Sequence, residues 1–270
     1  MTLISVEHLS KSYQSHSLMG AGKPRCILDD ISLTLNEGET VALLGRSGCG
    51  KSTLARQICG LEYPEKGDVF YRGMPVRKLD KKQRQQFRSE IQMVFQDPPG
   101  AVDPRFTPEQ IIAEPLKLLT SLDETQRKAR IAELLDMVEL PLSVLGKLPS
   151  QVSGGQLQRI CIARALAPDP RLIILDEAVS NLDIHLQASL LTLLGQLQKT
   201  QGIAYLFVTH DLRLVSRFAA RVVVMDEGKI AETSPYGCIE QLRHPASLAL
   251  KNAVLPPFPS SHRRKPVSVG

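Results

Sequence analysis

Near the N-terminus, apolar and polar positions alternate. The stretches ISVEHLSKSY (4–13), ILDDISLTL (27–35) and GDVFYRG (67–73) each carry alternating or β-branched apolar residues bounded by turn residues, which is the pattern of half-buried strands. Asn36-Glu37-Gly38 marks a turn, and Thr40-Val41-Ala42-Leu43-Leu44 is a continuous apolar run, as in a parallel strand buried on both faces. Runs of the same kind stand at Ile91–Phe95, Leu172–Leu175 and Tyr205–Val208. Strands alternating with helical patterns predict an α/β core. Between about Pro104 and Ala167 the period becomes helical, as in Ile131, Leu134, Leu135 and Val138, with Gly and Pro only at breaks such as Pro141 and Pro149. This segment is expected to form a helical lobe, about 104–167, inserted between two core strands. VVVMDEGKIAE (222–232) predicts a hairpin turning at Glu227-Gly228. Residues 256–270 are rich in Pro, Ser and basic residues and are expected to form a flexible basic tail, leaving 1–255 as the folded domain.

The 270 residues, 43% hydrophobic, can bury one sizeable core, or one core and a small second lobe. The formal charge of +5 is a mild excess without a dense basic stripe, so it is read as an ordinary surface with a basic tail, and nucleic acid is not an expected partner. No apolar run approaches the roughly 18 residues that cross a bilayer, and the first residues, MTLISVEHLSKSY, show no secretory signal. Cys26, Cys49, Cys59, Cys161 and Cys238 are dispersed, which fits reduced thiols better than a disulfide framework. No His/Cys/Asp cluster suggests a metal cage.

Gly45-Arg46-Ser47-Gly48-Cys49-Gly50-Lys51-Ser52-Thr53 contains G-x-x-x-x-G-K-[ST], placed after a buried strand and before a helical run. Glycines there let successive backbone N–H groups wrap phosphates, and the helix N-terminus adds its positive dipole. Lys51 is expected to reach the β- and γ-phosphates and the Ser52 hydroxyl to ligate Mg²⁺. The strand Leu172–Leu175 runs into Asp176-Glu177. Asp176 is placed to hold Mg²⁺ through water. Strand alternation should send Glu177 to the other face, where it can polarise the attacking water. His210 ends the next apolar strand and should share that edge of the sheet, where ligands of open α/β sheets bind.

The ordered set resembles the ATP-binding subunits of ABC transporters, from about residue 3 to residue 250. It comprises Tyr13 as adenine-stacking aromatic, the phosphate loop at 45–52, Gln96, Ser153-Gly154-Gly155-Gln156 as the signature, Asp176-Glu177, Asn181-Leu182-Asp183 as the D-loop, and His210. The resemblance implies a P-loop NTPase (RecA-like) core with an N-terminal antiparallel β subdomain and an inserted helical subdomain. It implies ATP and Mg²⁺ as cofactors, with Ser52, Gln96 and Asp176 at the metal, and Glu177, His210 and Gln96 as catalytic residues. Tyr13, residues 45–53 and Asp176 would bind ATP, and Asp183 would serve at the dimer contact. The signature would bind the γ-phosphate of ATP held by the opposite subunit, through Ser153 and the N–H groups of Gly154 and Gly155, ahead of a helix from Gln156 onward anchored by Leu157, Ile160, Cys161 and Ala165. Two departures stand out: Val152 replaces the usual Leu before the signature, and Ala178 and Asn181 mark a subgroup.

Gln96-Asp97-Pro98-Pro99-Gly100-Ala101-Val102-Asp103-Pro104-Arg105 and His244-Pro245 are similar to segments of the dipeptide, oligopeptide and nickel importer subfamily. GETVALLGRSGCGKSTLAR, residues 173–183 and LKNAVLPPFP (250–259) resemble its nickel-importing members, in which Arg46 stands where peptide relatives commonly carry Glu. Nickel is therefore the expected cargo, with dipeptide or oligopeptide as the alternative. The implied partners are a second, related ATP-binding subunit (a heterodimer), two transmembrane permease subunits and an extracytoplasmic solute-binding protein. The implied location is the cytoplasmic face of the bacterial inner membrane, as a peripheral subunit docked near Gln96. A soluble cassette ATPase acting on DNA or ribosomes is disfavoured by the single cassette and the lack of a heptad run. A P-loop kinase or GTPase is excluded by Ser153–Gln156.

Overall fold

The computed structural model describes residues 1–17, 20–178, 184–212, 215, 218–235 and 238–253. The D-loop Asn181-Leu182-Asp183 and the tail at 256–270 lie outside them.

In chain order the strands are β1 (Thr2–Ser17), β2 (Gly20–Asn36), β3 (Thr40–Gly45), β4 (Lys66–Tyr71), β5 (Met74–Pro75), β6 (Ile91–Val94), β7 (Leu172–Asp176), β8 (Ala204–Thr209), β9 (Arg221–Asp226) and β10 (Lys229–Pro235). The α-helices with bounds among the described residues are α1 (Lys51–Ile58), α2 (Lys81–Glu90), α3 (Pro108–Leu119), α4 (Glu124–Met137), α5 (Gly154–Leu166), α6 (Ile184–Gln201) and α7 (Pro245–Ala253). A four-stranded antiparallel sheet runs β2-β1-β4-β5, and a six-stranded sheet runs β10-β9-β3-β8-β7-β6. In the larger sheet β6 to β9 and β3 pair in parallel, and only β10 is antiparallel.

The continuous apolar runs become central strands because both faces of the larger sheet are covered. Ile173, Leu175, Tyr205 and Phe207 face one core, shared with α3, α4, α5 and α6. Leu172, Ile174, Leu206 and Val208 face a second, shared with α1 and the antiparallel sheet. Ala42 and Leu44 turn into a third, under Leu212, Val215, Ala246 and Leu250. Each such fully buried Leu or Ile contributes about 1.5–3 kcal/mol.

The helices α3, α4 and α5 fall inside 104–167. Pro115 corrects the expectation that proline stands only at breaks there, since it lies inside α3, where it is buried. α2 also differs from the reading of the first part as strands. Its sequence KKQRQQFRSE has a single buried residue, Phe87, so apolar periodicity is faint; the helix begins instead with an Asp80/Gln83 capping box. The β9–β10 hairpin turns at Glu227 (φ 43°) and Gly228 (φ 81°), both left-handed as a two-residue hairpin requires.

Candidate active site

The carboxyl ends of β3, β8 and β7 meet at one edge of the larger sheet. Leu44 pairs with Thr209, and Asp176 with Val208, so Gly45, His210 and Glu177 leave the sheet side by side. Gln96 joins them from the segment after β6, which pairs with β7. Chain reversal after each strand leaves this edge open to a ligand.

The loop after β3 wraps into α1. Gly50 precedes the helix at φ 107°, and a Cβ there would lie 2.7 Å from the Ile27 carbonyl oxygen, so only glycine fits. No side chain caps α1, which leaves its first N–H groups free to hold an anion. Lys51 is buried and folded back on its own loop, donating to the carbonyls of Gly45 (2.8 Å) and Arg46 (3.0 Å). Ser52 Oγ donates to Asp176 Oδ1 at 2.9 Å. Arg46, Ser47 and Gly48 are exposed on the loop, whereas Cys49 packs into the core and can meet a ligand only through its backbone.

Asp176 is 5% exposed. Burial pushes its carboxyl above the ordinary value, and the Glu177 charge adds to the rise; the Ser52 hydrogen bond and the positive charges of Arg56 and Lys51 oppose it. Glu177 differs from expectation in one respect. The strand ends at Asp176, and Glu177 sits at φ 48°, so a left-handed step rather than the pleat aims its side chain. Its N–H still donates to Val208 O at 3.0 Å. The Glu177 carboxylate is bracketed: Gln96 Nε2 donates to Oε2 at 3.0 Å, and His210 Nδ1 lies 3.5 Å from Oε1. The Gln96 bond uses the amide nitrogen and leaves its oxygen as a cation ligand. Ser52 hydroxyl, Asp176 carboxylate and Gln96 amide oxygen are hard oxygen donors, the set that suits Mg²⁺. Among the described residues, no group of three or more His, Cys, Asp or Glu side chains is placed to hold a metal ion.

A cleft of about 420 Å³ lies over this loop, walled by Ser47, Gly48, Gly50, Lys51, Ser52, Thr53, Gln96 and Glu177. Tyr13, Arg25 and Ile27 of the antiparallel sheet form its far wall. Arg25 is the cross-strand partner of Tyr13. No sequence signal marks Arg25 and Ile27 as cleft residues, because only the β1–β2 register brings them there.

The signature residues Ser153–Gln156 are not in that wall. They form the start of α5, which begins at Gly154 rather than at Gln156. Ser153 is the N-cap: its Oγ accepts from Gln156 N–H at 3.2 Å, while Gln156 Oε1 accepts from Ser153 N–H at 3.0 Å. The cap uses only an acceptor lone pair of the hydroxyl, so its O–H remains free to donate outward. Leu157, Ile160, Cys161 and Ala165 are buried and fix the helix.

A phosphate loop, an acid pair at the end of the next strand but one in the sheet and a capped Ser-Gly-Gly-Gln helix define a nucleotide-binding cassette. A sequence profile described as "ABC transporter" matches residues 28–180, and the chain belongs to this family. It is 62% identical over 259 residues to the "Nickel import ATP-binding protein NikE" of Brucella suis, covering 96% of this chain and 97% of that protein. To the protein of the same name from Escherichia coli it is 53% identical over 263 residues, covering 97% and 98%. Among solved structures, a dimeric post-hydrolysis state of the ATP-binding cassette MJ0796 bound to ADP and Pi superimposes with a TM-score of 0.77 at 29% identity, over 86% of this chain and 98% of that one. The cbiO1 protein from Clostridium perfringens, part of the transporter complex cbiONQ, gives 0.71 at 27% identity over 87% and 88%.

Proposed function

We propose that this chain is the ATP-hydrolysing subunit of an ABC importer for nickel ions, coupling ATP + H₂O → ADP + phosphate to inward movement of Ni²⁺. The observation that carries the ATPase reading is the bracketing of Glu177 by Gln96 and His210 at the sheet edge that also holds Lys51, Ser52 and Asp176. The cargo rests on the nickel-import relatives, matched along nearly their whole length.

In this reading Lys51 leaves the loop carbonyls and donates to the β- and γ-phosphates, while the open N–H groups of α1 hold their oxygens. Tyr13 stacks the adenine. Glu177 accepts a proton from the attacking water, and His210 and Gln96 hold that carboxylate in place. Ser52, Asp176 and Gln96 hold Mg²⁺, which when bound neutralises charge developing on the phosphates. Ser153 with the N–H groups of Gly154 and Gly155 completes a phosphate clamp in a partner ATPase subunit, which is a related chain, and Asp183 serves at that contact.

Two permease subunits and an extracytoplasmic solute-binding protein complete the importer, with this chain as a peripheral subunit on the cytoplasmic face of the inner membrane. No helix among the described residues is long and apolar enough to cross a membrane. The permease docks in a cleft of about 860 Å³ between core and helical lobe, whose walls include Arg84, Arg88, Phe95, Leu118 and Arg164. Phe95 in that wall is adjacent to Gln96, so movement of a docked permease segment is felt at Glu177 through one peptide link and one hydrogen bond.

The test is radioactive nickel uptake in cells lacking this chain, with dipeptide uptake measured in parallel. Loss of nickel uptake alone is the expected result. Normal nickel uptake with failed dipeptide uptake would assign the chain to a peptide importer.

A further inference from the structure

Around Tyr13 lies a polar network in which Glu62, Lys11 and Tyr63 have no role in the chemistry above. The Tyr13 hydroxyl donates to Glu62 Oε2. The other carboxylate oxygen of Glu62 accepts from Arg56 Nε at 2.8 Å. Arg56 belongs to α1, the helix that starts at Lys51, and its guanidinium also reaches Thr53 Oγ1 at 3.3 Å. The Arg56 backbone carbonyl accepts from the N–H groups of Leu61 (3.0 Å) and Glu62 (3.4 Å). The turn carrying Glu62 is thereby folded onto the same helix. On the ring itself, Lys11 Nζ stands 5.5 Å from the Tyr13 centroid and is tied to the Tyr63 carbonyl at 3.2 Å. That distance is within cation–π range.

We propose that Glu62 and Arg56 are positioning residues that pin the Tyr13 ring at a fixed distance from the phosphate loop, with Lys11 closing one ring face so that the nucleotide base stacks only on the other. The inference rests on the reading of the cleft as an ATP site. Tyr13 stands on a strand of the antiparallel sheet, whereas the phosphate loop belongs to the larger one. The chain Thr53–Arg56–Glu62–Tyr13 spans the two subsites and sets their separation. Stability alone is a poor account of this network. The side chains of Arg56 and Glu62 are 37% and 28% exposed, and partly exposed ion pairs contribute little to folding. A held ring, by contrast, has already lost the rotamer freedom that ligand binding would otherwise remove.

The test measures binding of Mg-ATP and of Mg-tripolyphosphate to the full chain by calorimetry. Tripolyphosphate takes the phosphate subsite alone. Glu62→Ala is expected to weaken ATP by about three- to tenfold, the cost of re-ordering one side chain, and to leave tripolyphosphate unchanged. Glu62→Gln, which keeps a carbonyl acceptor for the Tyr13 hydroxyl, is expected to recover part of the loss. Tyr13→Phe keeps the ring and removes the pin, so it should weaken ATP by a similar factor, and Glu62→Ala added to it should cost nothing more. Equal losses for both ligands, unchanged ATP binding in Tyr13→Phe, or additive effects of the two substitutions would overturn the proposal. If the native chain binds tripolyphosphate as tightly as ATP, the base subsite itself is wrong.

Discussion

The Ser52 hydroxyl donates to the Asp176 carboxylate at 2.9 Å across 124 residues of sequence. It joins the first turn of the phosphate-loop helix to the end of the next strand but one in the sheet. The two groups hold each other where a cation would sit. Asp176 is buried there, so in the nucleotide-free chain its negative charge is a burden on the fold that a bound cation would relieve.

A pH dependence follows. The Asp176 carboxyl is raised above 3.8, mainly by burial. A raised folded-state value means that the native chain holds the proton more tightly than the unfolded one. The stability linked to this group is fully present below 3.8 and is lost as pH rises through the folded value. Asp176→Asn keeps an acceptor for Ser52 but cannot ionise. In chelator, its stability relative to the native chain should rise as pH climbs through that window, as read by urea midpoints. Adding Mg-ATP at neutral pH should reverse the order, stabilising the native chain and not the variant.

Glu177→Gln retains an oxygen to accept from Gln96 but loses the base. ATP hydrolysis should fall by about 10²- to 10⁴-fold, the usual contribution of general-base catalysis, while ATP still binds. In the assembled complex, the nucleotide-bound closed form should accumulate, detectable by cross-linking between the two ATPase subunits. Undiminished turnover would remove Glu177 from the mechanism.

Much of this site is legible from residue order, because the phosphate loop and the Asp176-Glu177 pair sit at the ends of continuous apolar runs. Leu172–Leu175 and Tyr205–Val208 can be placed from sequence alone, because a strand buried on both faces reads as a near-continuous apolar run. What sequence conceals is of three kinds. α2 is held mainly by Phe87 and a capping box, so it carries almost no apolar period. The aim of Glu177 depends on a left-handed residue that strand alternation does not anticipate. The Tyr13–Glu62 contact joins residues 49 apart through a tertiary turn, and a glutamate in Leu61-Glu62-Tyr63 looks like any surface acid.

Gly228 shows how closely the hairpin is fitted to the antiparallel sheet. Its carbonyl accepts from Asp29 N–H at 2.9 Å, and a Cβ on it would lie 2.7 Å from the Ile27 carbonyl oxygen. The same oxygen limits Gly50, so Ile27 is wedged between hairpin and phosphate loop. Gly228→Ala would meet both the φ of 81° and that oxygen. It should cost about 1–3 kcal/mol in chemical unfolding, a typical range for strain at such a backbone position. It should also weaken ATP, because Ile27 lines the cleft. A midpoint equal to the native chain's would show that the hairpin yields freely.

Ser153 has two duties that substitution separates. As N-cap of α5 its Oγ accepts from Gln156 N–H, and Ser153→Ala should cost about 1 kcal/mol through loss of that bond. In the proposed two-subunit clamp its outward O–H is the group offered to a phosphate; the signature is absent from the wall of the chain's own cleft. If that clamp forms, Ser153→Arg places bulk and charge at the surface where the partner's nucleotide would dock. The variant should bind ATP at its own Lys51 with native affinity, while hydrolysis fails at the site whose phosphate loop lies on the partner. Binding to the isolated chain and turnover of the assembled importer check the two halves separately. If Ser153→Arg abolished nucleotide binding by the isolated chain, the signature would serve its own cleft and the two-subunit clamp would be wrong.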